Sequence, residues 1–448
     1  MIIILDINEK DLDRENKICY MYNIFYFPEV IMKRFLMVFW VLCCLTGVLL
    51  TGCKKKESGP TTLTLLFYSP ELQGQYKEMA EAYKAETGVI LDVVLTQGNY
   101  RSVLAARINS GDAPDVFMSS AYADNIDYRD YSYDLSKEDF IKNITPTALE
   151  GVMLDGKVTG YPFLVQSHSF IFNKKVFRDA GVTTLPRTIS EYEEASRKIQ
   201  ATGIQPFATG FFEWWVLPQT GWQALAPAVV QKYGGFSAFV SRMNAGTLKF
   251  ADIPEMANIF DLLDLIKKYG GPKPGESDFQ NQVSSIATGE VAMIHQGIWA
   301  EDSIKQVNPN VEIGFLVGPA GNDVSGAGIM YDSNQTLRVY KDSKNLKAVL
   351  DWLRWLTNSE YGKNWIPGKV KQLSPIAGAP APDSDIARET VTMLSNKIPS
   401  YPWFYQMFPS GAEEQLGTIL QGYCAGLTDR KGAITALDEA YAKLIKAQ

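Results

Sequence analysis

A chain of 448 residues with 46% hydrophobic and 12% aromatic residues contains enough apolar side chains to fold, so its composition argues against a disordered protein. The formal net charge is −7 at pH 7. Nucleic acid is therefore excluded as the expected partner, because binding phosphates requires a basic surface.

The first predicted element is an export signal. Lys33 and Arg34 precede an apolar segment at 35–50, and Cys53 follows it after a threonine and a glycine. This segment is shorter than the roughly 20 apolar residues that span a bilayer, so a retained membrane helix is the weaker interpretation. With Leu50 three positions before the cysteine, the segment resembles the bacterial lipobox, in which diacylglycerol alkylates the cysteine thiol and the cysteine becomes the mature N-terminus.

Met32 is the expected translation start, because residues 1–31 are mixed and partly acidic and do not fit the front of a signal. We therefore assign 1–31 to a mis-annotated start, 32–52 to a lipoprotein signal peptide and 53–61 to a lipidated tether. Without these residues the chain is still longer than one hydrophobic core usually organises, so two domains are expected.

Strands and helices alternate after the tether. The strands are Leu63 to Tyr68, Val89 to Leu95 and Asp115 to Met118, and the helices between them carry apolar residues from Leu72 to Tyr83 and from Tyr100 to Ile108. Gly88 and Gly111 are expected to end the two helices. This βαβαβ order predicts a parallel, doubly wound α/β sheet, whose ligands bind beyond the carboxyl ends of its strands. The segments from Tyr68 to Glu71 and from Ser119 to Tyr122 follow two such ends and should share one edge.

A second α/β region follows. The run from Phe170 to Phe172 predicts a short strand, and Ser190 with Glu193 predicts a capping box at the start of the next helix. The stretch from Pro367 to Pro382 is rich in proline and glycine, which indicates an ordered connection rather than a helix. Cys424 would have no disulfide partner in the mature chain, and its small apolar neighbours predict a buried side chain.

Few residues point to catalysis or to a metal. His168 and His295 are the two histidines, and neither has a cysteine or carboxylate at metal-ligand spacing, so we expect no metal and no cofactor. The sequence contains no phosphate-binding loop and no nucleophile elbow. A pair of carboxylates for glycoside hydrolysis stays open as an alternative, because such residues meet only in the folded chain.

Aromatic residues are concentrated in segments that lack helical periodicity. They are Phe211, Phe212, Trp214 and Trp215, then Trp299 after the predicted strand Val291 to His295, and then Tyr401, Trp403, Tyr405 and Phe408. Core packing explains most aromatic residues in proteins. The other interpretation is that these rings stack on the apolar face of a sugar, whose hydroxyls would bond to Gln, Ser, Asp and Glu side chains.

Four groups of residues resemble the extracellular solute-binding proteins of ABC importers, in the group that includes maltose-binding protein. They lie at 110–116, at 155–162 with 172–177, at 289–299 and at 343–365. The first reads Ser-Gly-Asp-Ala-Pro-Asp-Val and precedes the third strand, as it does in that family. The groups occur in the order of the family, and the resemblance covers the whole chain after the signal.

This resemblance implies two α/β lobes, each a mostly parallel sheet flanked by helices, with a ligand cleft between them. The first lobe would comprise 62–166 and 318–367, and the second 167–317 and 368–448. A protein of this kind is a monomer without catalytic activity. It would capture a carbohydrate, expected here to be an oligosaccharide, and deliver it to the permease subunits of an ABC transporter. The lipid anchor would hold it on the extracytoplasmic face of the cell membrane, or on the periplasmic side where there are two membranes.

The resemblance also implies ligand contacts, carried over position by position. They are Tyr68, Ser69, Glu71, Ser119, Ser120, Tyr122, Gln166, Trp214, Trp215, Trp299 and Trp403. Trp299 matches a stacking tryptophan of the family. Ser119 falls where maltose-binding protein has an aromatic residue, so the ligand need not be maltose. Two alternatives are a secreted glycoside-acting enzyme and a receptor for a peptide or another non-sugar solute.

Overall fold

One mixed β-sheet organises the described part of the chain. The computed structural model describes residues 59–96 and 100–447, so the predicted signal segment and Cys53 lie outside it. The strands are β1 (Thr62–Phe67), β2 (Ile90–Leu95), β3 (Val116–Ser120), β4 (Met153–Leu154), β5 (Lys157–Val158), β6 (Tyr161–Asn173), β7 (Gln205–Ala208), β8 (Val291–Gly297), β9 (Ile313–Leu316), β10 (Ile329–Val339) and β11 (Ser400–Tyr401). The sheet order is β2-β1-β3-β10-β6-β8-β7, with β11 beside β10 and β9 beside β6, while β4 and β5 form a separate pair.

Helices cover the sheet and fill the rest of the described chain. They are α1 (Gln73–Thr87), α2 (Tyr100–Asn109), α3 (Ala123–Asp127), α4 (Pro146–Glu150), α5 (Lys174–Asp179), α6 (Ile189–Ala201), α7 (Val216–Lys232), α8 (Phe236–Asn244), α9 (Met256–Tyr269), α10 (Phe279–Thr288), α11 (Ala300–Val307), α12 (Leu346–Asn358), α13 (Glu360–Trp365), α14 (Asp385–Ser395), α15 (Ala412–Cys424) and α16 (Arg430–Ala447). Several short 3-10 turns join them, and a π-helical turn follows α13.

The predicted βαβαβ unit is confirmed. Strand β1 pairs in parallel with both β2 and β3, and α1 and α2 connect them. Helix α1 ends where Gly88 adopts a φ of 75°, a left-handed conformation that glycine adopts at little cost. Parallel strands place their carboxyl ends at one edge, so the residues after Phe67 and Ser120 come together there.

Two long strands join the two ends of the sheet. Strands β6 and β10 run antiparallel to each other, and β6 is buried along its whole length. The predicted strand at Phe170 to Phe172 is therefore only the last part of a 13-residue strand. Its polar residues Gln166 to Ser169 interrupt the apolar run in the sequence, and that interruption hid the rest of the strand.

The hydrophobic residues form two large cores at opposite ends of these long strands. The first core contains side chains of β1, α1, α12 and the start of β6, and the second contains those of α7, α9, α15 and the end of β6. This architecture confirms the predicted α/β fold. The chain from Pro60 onward forms one compact unit, so the residue boundaries of the two lobes stay a prediction.

Two local predictions in the second region are wrong. The capping box of α6 is formed by Thr188 and Glu191, two residues before the predicted pair of Ser190 and Glu193. The predicted ordered connection from Pro367 to Pro382 is wrong only at its start, where Ile366–Val370 forms a π-helical turn, and residues 371–382 contain no helix. Proline is tolerated there because it lies in the first turn, where its missing N–H has no helical partner to lose.

The prediction for Cys424 is confirmed, since its side chain is buried near the end of α15. Burial raises the pKa of its thiol to about 12, so the reactive thiolate form is scarce at neutral pH. The described residues include no helix that is long and apolar enough to cross a membrane.

Candidate functional site

The predicted contacts after β1 and β3 meet at one edge of the sheet. The Tyr68 hydroxyl donates to the Ser119 carbonyl oxygen at 3.3 Å. Gln335 of β10 donates from its side-chain amide to the Ser69 hydroxyl at 3.3 Å, which ties the neighbouring strand to the same edge. We call Tyr68, Ser69, Ser119 and Ser120 the polar cluster. Ser69 and Ser119 are buried, whereas Tyr68 and Ser120 are partly exposed, so a ligand could hydrogen-bond to the hydroxyls of the latter two.

A fully buried arginine, which the sequence analysis missed, supports the polar cluster. Arg338 of β10 donates to the hydroxyl of Ser119 at 2.6 Å and to the side-chain carbonyl oxygen of Asn125 at 2.8 Å. Further donors of the same guanidinium reach Thr159 and the Ser120 carbonyl oxygen. Burial lowers the pKa of Arg338 to about 10, so the side chain stays charged at neutral pH.

A second charged group holds the end of β3. Asp124 of α3 accepts from the Ser120 backbone N–H at 2.8 Å and from the Arg101 guanidinium at 2.8 Å. Arg101 also donates to the Ser410 hydroxyl, which lies in the segment before α15, at 3.4 Å. This contact joins the surroundings of the polar cluster to the segment before α15, a helix of the second core.

Glu71 and Tyr122 add ionisable groups near this edge. Glu71 is exposed, yet desolvation by the protein around its carboxyl raises the pKa of that group to about 7. The Tyr122 hydroxyl donates to the carboxylate of Asp332, whose burial raises its own pKa to about 6. Tyr122 has a φ of 56° and a ψ of −100°, a strained backbone conformation of the kind that clusters at ligand sites.

Gln166 lies where the two long strands cross. It is buried and pairs with Asp332 of β10 in the sheet register, next to a bulge at Ser333 and Asn334. Its side-chain amide donates to the side-chain carbonyl oxygen of Gln372 at 2.9 Å. A bulge re-aims the side chains beside it, so this crossing can present polar groups between the two cores.

Trp299 lies just after β8, at the far side of the crossing strands. Its ring folds back over Gly297, where a Cβ atom would come within 2.1 Å of the indole. The indole N–H donates to the side-chain carbonyl oxygen of Gln296 at 2.9 Å. His168 of β6 stacks parallel to the ring, with 5.6 Å between centroids and 6° between planes. The ring is half-buried, so it is neither a pure core residue nor a freely exposed one.

Trp403 lies beside the same histidine, with 6.4 Å between the ring centroids. It is fully buried in the second core. We call His168, Trp299 and Trp403 the aromatic cluster. Burial lowers the pKa of His168 to about 3, so its imidazole is neutral at physiological pH.

Trp214 and Trp215 lie in the loop between β7 and α7 and are half-buried. The Trp215 ring packs against Phe279, with 6.3 Å between centroids. Neighbouring Phe212 is 62% exposed, the largest exposure among the aromatic residues of this loop. The structure thus places the tryptophans near the second core, and it gives them no direct contact with the polar cluster among the described residues.

The chemistry available here is hydrogen bonding and stacking. No group of three or more His, Cys, Asp or Glu side chains in residues 59–96 and 100–447 lies in position to hold a metal ion. A surface depression lined by Lys174, Lys305 and Asp385 lies elsewhere and includes none of the predicted contacts. Its charged side chains form ion pairs with one another or with neighbours.

Known proteins are similar to this chain in sequence. A family model described as a bacterial extracellular solute-binding protein matches residues 69–363. The chain is 24% identical over 405 residues to the multiple sugar-binding protein of Streptococcus mutans, covering 85% of this chain and 91% of that protein. It is 22% identical over 419 residues to the melibiose/raffinose/stachyose-binding protein MelE of Bacillus subtilis, covering 89% and 94%.

Solved structures agree on the fold. The solute-binding protein RafE in complex with raffinose superposes with a TM-score of 0.74 at 21% identity, over 86% of this chain and all of that one. A sugar transporter protein of Bacillus licheniformis in complex with stachyose gives a TM-score of 0.72 at 20% identity, with the same coverage. From the family match and the shared two-lobe fold, we conclude that this chain belongs to the bacterial extracellular solute-binding proteins.

Proposed function

We propose that this protein captures a carbohydrate, expected to be an oligosaccharide, and delivers it unaltered to the permease of an ABC transporter. The observation that carries the proposal is the pairing of a polar cluster with an aromatic cluster on either side of the crossing strands. The partly exposed hydroxyls of Tyr68 and Ser120 match the hydroxyl rim of a sugar ring, and the face of Trp299 matches its apolar C–H surface. Similar proteins are named for binding raffinose, stachyose and multiple sugars, which supports this ligand class.

A thermal-shift screen against a panel of neutral glycans tests the proposal. A ligand present at about 100 times its dissociation constant stabilises the folded state by roughly 2.7 kcal/mol, which is easily measured. Chromatography of the recovered glycan should show that it is unchanged. Hydrolysis of the glycan would favour the alternative of a glycoside-acting enzyme, and binding only of peptides would favour a receptor for a non-sugar solute.

Trp299→Ala tests the ligand contact itself. Removing a stacking face should weaken glycan binding by about tenfold or more, because aromatic contacts contribute roughly 1 to 2 kcal/mol. Calorimetric titration measures this loss, and the melting temperature without ligand separates it from a packing defect. A large drop in that melting temperature with unchanged affinity would remove Trp299 from the site.

The export signal and the anchor belong to the same proposal. A lipidated Cys53 would keep the binding protein beside its permease on the extracytoplasmic face of the membrane. Cys53→Ala should block lipidation and release the protein or leave its signal uncleaved, which membrane fractionation and mass spectrometry detect. Unchanged processing and attachment would contradict the lipobox assignment.

A further inference from the structure

We propose that Gln282 and Gln296 are positioning residues, which hold the Trp299 ring in its binding orientation before any ligand arrives. This inference rests on the proposed function, because it assumes that Trp299 stacks on the ligand. It goes further by assigning a binding role to two glutamines, of which Gln296 hydrogen-bonds to Trp299 and Gln282 hydrogen-bonds to Gln296. It also predicts that the aromatic face is preformed rather than assembled by the ligand.

The first observation is a continuous chain of side-chain amides. Trp299 donates to Gln296, whose side-chain amide N–H donates to the side-chain carbonyl oxygen of Gln282 at 2.7 Å. Gln282 in turn donates to the backbone carbonyl oxygen of Ala208, at the end of β7, at 3.0 Å. We call Gln282 and Gln296 the amide relay. Each side-chain nitrogen in it donates one hydrogen bond, and the relay ends on the backbone of the sheet.

The second observation is burial. Both glutamines are fully buried, so water does not compete for these hydrogen bonds. A buried amide that loses its partner pays the full cost of its desolvation, so the amide relay has a strong preference for one arrangement. This bond sets the direction of the indole N–H, and the packing around the ring limits rotation about that direction.

The third observation is the close packing around Trp299. Gly297 leaves the space that the ring occupies, since a Cβ atom there would overlap the indole. His168 covers part of one face, and its imidazole is neutral, so this contact does not change between pH 5 and pH 8. The N–H edge of the ring is thus bonded and one face is partly covered by His168, so a ligand would stack on the part of this half-buried ring that these contacts leave uncovered.

The relay also reaches the loop that carries the other predicted tryptophans. Gly210 has a φ of 68°, and a Cβ atom there would lie 2.5 Å from the Gln282 side-chain nitrogen. Gly210, which precedes the aromatic residues of that loop, therefore packs directly on the relay. The two glutamines thus contact both Trp299 and the start of the loop that carries Trp214 and Trp215. Such pre-organisation improves affinity by lowering the entropy that is lost when a ligand binds.

An NMR experiment tests the relay without any ligand. The indole N–H resonance of Trp299, identified by its disappearance in Trp299→Phe, should exchange slowly with solvent in the ligand-free protein. Gln296→Leu removes the acceptor and should shift this resonance and speed its exchange. A Trp299 resonance that is unshifted and equally protected in Gln296→Leu would overturn the proposal, whatever the protein binds.

Affinity measurements then test the positioning role with a ligand from the glycan screen. Gln296→Leu should weaken binding by about fivefold, the value of one hydrogen bond of about 1 kcal/mol. In the Trp299→Ala background the same change should cost nothing further, because the ring that it positions is gone. The control is Gln223→Leu, which removes a buried glutamine that bonds to His295 and Ser169 and makes no hydrogen bond to Trp299.

Gln223→Leu should lower the melting temperature as Gln296→Leu does, yet leave the affinity unchanged. The proposal fails if Gln296→Leu weakens binding equally in the Trp299→Ala background, or if the control weakens binding as much. It also fails if Gln296→Leu binds as tightly as the native protein while Trp299→Ala does not, a result that leaves the proposed function intact. If no glycan binds the native protein, the proposed function fails, and the NMR result still decides whether the relay exists.

Discussion

The polar cluster and the aromatic cluster are built in opposite ways. The polar cluster depends on one buried cation, Arg338, whose guanidinium bonds to oxygens from three separate segments of the chain. The aromatic cluster contains no charge, since His168 is neutral and its neighbours are indole rings. A polar wall selects a ligand by the direction of its hydroxyls, whereas an aromatic wall contributes contact area with little directional demand.

The two neighbouring histidines, His168 and His295, also differ in their hydrogen bonding. Their rings lie 4.2 Å apart, yet His295 bonds to Thr220 and Gln223 through its two nitrogens. Neither ring nitrogen of His168 has a hydrogen-bond partner among the described residues. The indole N–H of Trp403 also has none there. Buried polar atoms are normally paired, so the aromatic cluster carries hydrogen-bonding capacity that its own side chains leave unused.

The largest effect should come from Trp403→Ala. Trp403 is fully buried in the second core, so the substitution opens a cavity and should destabilise the protein by about 3 to 5 kcal/mol. Denaturant unfolding monitored by circular dichroism measures this loss. The exposed Phe212 provides the control, because Phe212→Ala should change stability by no more than about 0.5 kcal/mol. A loss below about 1 kcal/mol for Trp403→Ala would show that its burial contributes little and would favour a role in binding alone.

A somewhat smaller loss is expected for Arg338→Met, which keeps most of the side-chain volume and removes the guanidinium. The buried oxygens of Ser119, Thr159 and Asn125 would lose their donors, and we expect destabilisation by about 3 kcal/mol. Arg338→Lys should recover only part of it, because an ammonium group cannot reproduce the planar fork. The same unfolding experiment measures both variants. An equal free energy of unfolding for Arg338→Met and the native protein would mean that the hydrogen bonds of the guanidinium do not stabilise the fold.

The βαβαβ unit from β1 to β3 illustrates what the sequence can predict. Its elements are short, their apolar runs are uninterrupted, and Gly88 marks the end of the first helix, so local patterns suffice. The capping box shows the limit of such patterns. Thr188 with Glu191 and Ser190 with Glu193 both fit the motif, and packing of the whole helix against the sheet decides between them.

The candidate site is harder to predict because its supports are distant in sequence. Arg338 lies in a strand, where a charged residue usually indicates an exposed face, and its partner Ser119 is 219 positions away. The hydrogen bond between Gln282 and Gln296 likewise depends on how α10 packs against β8, which no local spacing encodes. The sequence could indicate which residues follow strand ends, but it could not indicate which side chains hold them in place.

The smallest effect concerns Glu413, whose carboxyl is influenced by the charges of Arg101 and Asp124 beside the polar cluster. It lies in the first turn of α15, near Arg101 and Asp124 of the polar cluster's surroundings. Burial raises the pKa of its carboxyl to about 7; Arg101 lowers it and Asp124 raises it, both to a lesser extent. A carboxyl whose pKa is raised by folding binds its proton more tightly in the folded state. Its contribution to stability is therefore complete below about pH 4.5 and is lost as the pH rises through about 7.

Glu413→Gln cannot ionise, so it should remove this part of the pH dependence. The melting temperature of the variant should be close to that of the native protein at pH 5 and should exceed it by a few degrees at pH 7.5. Calorimetric scans across this range measure the difference, and Glu414→Gln, at the exposed neighbouring position, is the control. If the melting temperatures of Glu413→Gln and the native protein changed with pH in the same way, Glu413 would be well solvated. In that case the contact between Arg101 and Ser410, rather than a buried carboxyl, would be what joins the polar cluster to the second core.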